Sequence, residues 1–100
     1  MMTTVHLDLN NPTFQSQLFD LEKIDRQNVM TSLKKLFAMT WDHVYRDKGL
    51  HWERILSKTG PNGEALYSLR LGRGFRAVAY RESEWLVLLT LHPDHDSTFR

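Results

Sequence analysis

Val5-His6-Leu7-Asp8-Leu9 alternates apolar and polar residues, a period of two that predicts a half-buried strand. Asn10-Asn11-Pro12 ends it and opens a helix, with Asn11 as N-cap and Pro12 at the first helical position. Phe14, Leu18 and Leu21 follow at spacings of four and three, which places them on one face. So short a helix needs a neighbour to persist. The next stretch has the strongest helical signal. Ile24, Val29, Leu33, Leu36, Phe37, Thr40, Trp41 and Val44 recur at helical spacing, and Arg26, Gln27, Lys34, Lys35 and Asp42 occupy the other side. One long helix is predicted, capped by Asp25 and ended by Gly49, with Arg46 and Lys48 in the last turn, where cations suit the helix dipole. The two helices, closely joined, should form a hairpin.

Past Gly49 the period changes. His51 to Ser57 reads as a poorly alternating strand, and Lys58 to Gly63 as a Gly/Pro/Asn turn. Leu66 to Leu71 is a strand with Tyr67, Leu69 and Leu71 opposite Ser68 and Arg70. Gly72-Arg73-Gly74 turns, and Phe75 to Tyr80 is a strand with Phe75, Ala77 and Ala79 opposite Arg76, Val78 and Tyr80. Arg81 to Glu84 turns again, and Trp85 to Leu91, apolar on both faces, should be the most buried strand. Short turns make these strands antiparallel neighbours. The expected fold class is α+β in a single domain over 1–100: an N-terminal strand, a helical hairpin, then a three- to four-stranded antiparallel sheet.

Composition narrows the chemistry. One hundred residues without cysteine exclude disulfide frameworks, thiolate nucleophiles and zinc fingers. No signal-peptide pattern and no bilayer-length apolar run is present, so a cytoplasmic protein that does not enter membranes is expected. Net charge is only +1, but unevenly spread. Residues 45–81 carry eight Lys/Arg against three Asp/Glu, a net +5, while 82–100 carry one against four, a net −3. A basic middle third suggests an anionic partner.

Arg70, Arg73 and Arg76 lie on two adjacent strands and their turn. Guanidinium groups suit phosphate because they are planar, permanently charged and able to donate paired hydrogen bonds. The competing reading is that each is a solvated surface arginine. His92-Pro-Asp-His95-Asp96 follows the last strand. Its histidines suit proton transfer or phosphate contact. Ordinary loop polarity is the competing reading, and a metal site is disfavoured because Pro93 prevents a regular helical face. Glu53 is either a base or, preferably, an ion-pair partner for one of the arginines. Trp41, Trp52 and Trp85 could stack on bases, but their places within apolar patterns favour the core. No Walker loop, nucleophile elbow or dinucleotide fingerprint occurs.

Four phrases, in this order, resemble the RelE/ParE toxin superfamily, in particular its HigB- and RelE-like members. They are Lys48-Gly-Leu-His-Trp-Glu-Arg-Ile55, Gly63-Glu-Ala-Leu-Tyr-Ser-Leu-Arg70, Gly74-Phe-Arg-Ala-Val-Ala-Tyr80 and Leu89-Thr-Leu-His-Pro-Asp-His-Asp-Ser-Thr-Phe99. The resemblance spans nearly the whole chain. It implies the toxin of a type II toxin–antitoxin system: a ribosome-dependent mRNA endoribonuclease that uses no metal or cofactor and is held silent by a cognate antitoxin in a hetero-oligomer. By the same resemblance Arg70 and Arg76 would bind phosphate and stabilise its developing charge, and His95 or His92 would move a proton. Arg73 would hold the RNA backbone, with Arg54 and Lys48 as further phosphate contacts. Phe99 stands where many RelE-type toxins carry a tyrosine. Two alternatives remain open: a non-nuclease member that binds a protein target, as gyrase poisons do, and an inactive small binding module.

Overall fold

The computed structural model describes residues 3–94. The elements are β1 (His6–Asp8), α1 (Pro12–Phe19), α2 (Lys23–Phe37), α3 (Trp41–Arg46), β2 (Glu53–Thr59), β3 (Ala65–Arg70), β4 (Phe75–Glu82) and β5 (Trp85–Pro93). They build a five-stranded sheet of order β1-β5-β4-β3-β2. The α+β class and the antiparallel β2-β3-β4-β5 meander agree with expectation. β1 closes the far edge by pairing with β5 in parallel, which makes the sheet mixed.

Asn11 caps α1 as its position requires, its side chain accepting from the N–H groups of Thr13 and Phe14. The single helix expected between Asp25 and Gly49 is instead two. α2 ends at Phe37 with Ala38 as its C-cap, and residues 39–41 run alongside the N-terminal segment. The Val5 N–H donates to the Met39 carbonyl, and the Trp41 N–H to that of Thr3. Thr40 then caps α3, its hydroxyl accepting from the His43 N–H. Tertiary pairing with the chain start outweighs local helical continuity, and the break turns Trp41 and Val44 into the core. At the head of α2, Asp25 lies in the first turn and Glu22 is the cap residue.

The core lies between the helices and one face of the sheet. Phe14 and Leu18 of α1, Val29, Leu33 and Leu36 of α2, and Trp41 and Val44 of α3 meet Leu69, Ala77, Ala79, Leu86, Leu88 and Leu91. Burial of this apolar surface is the main driving term. Ile24 and Phe37, at helical spacing in the sequence, lie 61% and 64% exposed. Trp85 is also not core. It is 48% exposed because alternation with the core-facing Leu86 and Leu88 places it on the other face of the sheet, where its ring meets that of His6.

β5 is no more buried than β3 or β4. Between Val78 and Ala79 the β4–β5 register shifts, Val78 facing Thr90 and Ala79 facing Leu88. Leu89 is the extra residue, a bulge that bends the strand and gives it to the far face. Among the described residues no helix covers that face.

Candidate functional site

The uncovered face of the sheet forms an open groove of about 910 Å³. Its position follows from strand alternation. Leu69, Ala77 and Leu91 face the helices, so their neighbours face away. Arg70 on β3, Arg76 on β4 and His92 on β5 are direct cross-strand partners and make one row on this face. Ser68, Val78 and Thr90 make the next row, with Glu53 of β2 opposite Ser68. Leu66, Val78 and Leu89 supply an apolar floor beneath these polar groups.

Arg76 is only 5% exposed. Its Nη2 donates to Ser68 Oγ at 2.7 Å and to the His51 carbonyl at 3.3 Å. A guanidinium buried in a groove floor is held by such acceptors while its charge remains directed at whatever enters. His51 can present its carbonyl there because its φ is +50°. His92, half-buried, has its Nε2 2.7 Å from Thr90 Oγ1. Burial, and secondarily the positive charge of Lys58, hold the His92 pKa below the usual imidazole value of 6.5. The ring is therefore neutral at pH 7 and free to accept a proton.

Arg70 is half-exposed at the rim, where its Nε stands 3.7 Å from Asp94 Oδ2. Asp94 is anchored in turn by its own N–H, which donates to the Gly74 carbonyl. Glu53 pairs with His51 at 3.0 Å rather than with an arginine, which corrects the ion-pair expectation. His51 is not among the residues that the sequence singles out. Its role depends on a left-handed backbone that nothing in the local sequence announces. Arg54 and Lys58 line the groove from the β2 edge. Arg73 sits apart, on the turn, in a second depression of about 470 Å³ that also holds Arg70 and Asp94. Lys48 is exposed and lines neither hollow. His95 lies outside the described residues.

Of the tryptophans, Trp41 is buried as expected. Trp52 is partly buried and stacks on Tyr67 with ring centres 4.6 Å apart. The guanidinium of Arg81 covers Trp41 at 4.3 Å. These rings lie among core residues and not in the groove. Among the described residues no group of three or more His, Asp or Glu side chains could hold a metal ion. None of their helices is long and apolar enough to cross a membrane.

No family model matches the chain, and no curated protein matches it. Among solved structures it is similar to a chain in the crystal structure of the archaeal RelE–RelB complex from Pyrococcus horikoshii OT3. The TM-score is 0.58 at 20% identity, and the match covers 93% of this chain and 96% of that one.

Proposed function

From a chain that has the RelE fold, we propose a RelE-type toxin: an endoribonuclease that cleaves mRNA on the ribosome without a metal and is restrained by a cognate antitoxin. The row of Arg70, Arg76 and His92 across three strands of the uncovered face carries this reading. Two guanidinium groups and a neutral imidazole in one line suit a phosphodiester whose ribose 2′-hydroxyl attacks the adjacent phosphorus.

In that reaction the 2′-oxygen forms a bond to phosphorus and the bond to the 5′-oxygen breaks. A 2′,3′-cyclic phosphate and a free 5′-hydroxyl result. Neutral His92 accepts the proton of the attacking hydroxyl. Arg76, fixed by Ser68 and His51, neutralises charge on the non-bridging oxygens. The departing 5′-oxygen takes up a proton from solvent in the open groove, whose opposite bank carries Glu53 paired with His51. β2 and β5 are three strand spacings apart, about 14 Å between backbones, so a phosphate over Arg76 has a titratable group on each side. Arg70 steadies the phosphate from the rim once Asp94 gives it up. The RelE–RelB complex among similar structures supports an antitoxin as a partner.

The test adds purified protein to a cell-free translation reaction and maps new mRNA 5′ ends. Discrete ends that need ribosomes and vanish with His92→Ala, whose urea midpoint is unchanged, support the reading. Intact mRNA with normal translation overturns it and moves attention to a protein target such as gyrase.

A further inference from the structure

We propose that the hollow between the end of α2 and the Gly72–Gly74 turn is a second phosphate subsite, which holds the RNA backbone phosphate next to the one over Arg76. This rests on the RNA-cleaving reading above and extends it to the path of the strand.

The hollow contains three cations, Lys35, Arg70 and Arg73, against two carboxylates, Asp47 and Asp94. Both carboxylates are already engaged. Asp47 accepts from the Leu50 N–H at 3.0 Å and pairs with His43 at 3.4 Å, and Asp94 pairs with Arg70. Lys35 and Arg73 are exposed and form no ion pair among the described residues. The surplus is therefore positive, and an anion is the ligand that answers it. Ser32 Oγ accepts from the Gly72 N–H at 2.6 Å, which leaves its own hydrogen to donate into the hollow. Gly49, Gly72 and Gly74 line the wall, so backbone without side chains faces the space and a bulky tetrahedral group can approach.

Position decides for a nucleic-acid strand over an isolated ion. Arg70 and Arg76 are directly paired residues, with Cα atoms about 5 Å apart. Arg70 and Asp94 line the hollow, while Arg76 and Asp94 line the groove. The two depressions thus share one rim, and a chain leaving the groove over Arg70 enters the hollow directly.

The probes are RNA oligonucleotides made uncleavable by 2′-O-methylation, labelled for fluorescence anisotropy: a dinucleotide with one phosphate and a hexanucleotide with five. Lys35→Ala combined with Arg73→Ala should weaken the hexanucleotide about tenfold and leave the dinucleotide unchanged. The dependence of log K on log salt for the hexanucleotide should become shallower by about 0.7, the contribution of one phosphate on a single strand. Arg76→Lys, which loses the paired donors over the first phosphate, should weaken both probes. If the double variant binds both probes as wild type does while Arg76→Lys loses them, the subsite is wrong and the nuclease reading stands. Equal loss on both probes also overturns the subsite. If wild-type protein binds neither probe, both fall. An acidic peptide that binds wild type more tightly than the hexanucleotide, and loses that affinity in the double variant, would assign the hollow to a protein partner instead.

Discussion

Gly72→Ala should destabilise the protein far more than Gly74→Ala, although both glycines sit in the same turn at similar backbone angles, φ +69° and +80°. A left-handed conformation costs any L-residue with a Cβ roughly 1–2 kcal/mol. Loss of glycine freedom in the unfolded chain offsets about 0.4–1 kcal/mol of that. This much applies to both sites and predicts a net loss near 1 kcal/mol at Gly74, where an added Cβ meets nothing within 4 Å. At Gly72 the added Cβ lies 3.0 Å from the Asn28 carbonyl carbon and 3.0 Å from the Val29 nitrogen. Both are backbone atoms of α2, which cannot rotate aside. Helix and turn must separate, straining the hydrogen bond from the Gly72 N–H to Ser32. Overpacking of this kind adds about 1–3 kcal/mol, for a total of roughly 2–4 kcal/mol. Urea unfolding of the two variants measures the difference as a shift of midpoint at constant slope. Thermal unfolding should show an extra drop of about 4–8 °C per kcal/mol. Equal losses at the two positions would refute the close approach of turn and helix.

His92 makes folding pH-dependent. Its folded pKa is depressed by burial and by Lys58, so between that value and about 6.5 the unfolded chain binds the extra proton. Stability therefore rises with pH through this window and is lost as pH falls through the folded value. His92→Gln should flatten that part of the urea-midpoint profile between pH 5 and 7, and an unchanged profile would show that another group is responsible. Ser68→Ala removes the hydroxyl that accepts from buried Arg76 and should cost about 1–3 kcal/mol in urea unfolding. A neutral result would mean that Arg76 is held by other groups. Asp94→Asn frees Arg70 from a partly exposed pair, so stability should change by less than about 1 kcal/mol while the uncleavable hexanucleotide binds several-fold tighter. Unchanged or weaker binding would show that Asp94 does not compete with phosphate.

Much of the fold was legible because it is encoded locally. The alternation from Leu66 to Leu71 and from Phe75 to Tyr80 assigns one face to the core. The short turns between strands impose antiparallel neighbours, and Asn11-Pro12 opens α1 where a cap and a pre-set φ belong. The same alternation places Arg70 and Arg76 on the uncovered face, since side chains two apart share a side. The patterns misled where a distant segment competes with local preference. The helical spacing through Thr40 gave no warning that the N-terminal segment would pair with residues 39–41 and break the helix. The apolar run from Trp85 did not reveal that its first residue lies on the face away from the helices, or that a bulge would turn Leu89 outward.

The amino-acid sequence by itself determined the class of fold, the strand faces and the residue types that can meet a phosphate, because periodicity and turn chemistry act over a few residues. Only the tertiary structure decided which of those residues meet. The pairing of β3, β4 and β5 brought His92 into line with two arginines from separate strands. The left-handed His51 turned its carbonyl onto Arg76, and the close approach of α2 to Gly72 made a second hollow beside the first. Such contacts join residues far apart in the chain, and their free energy comes from burial and register rather than from any local preference.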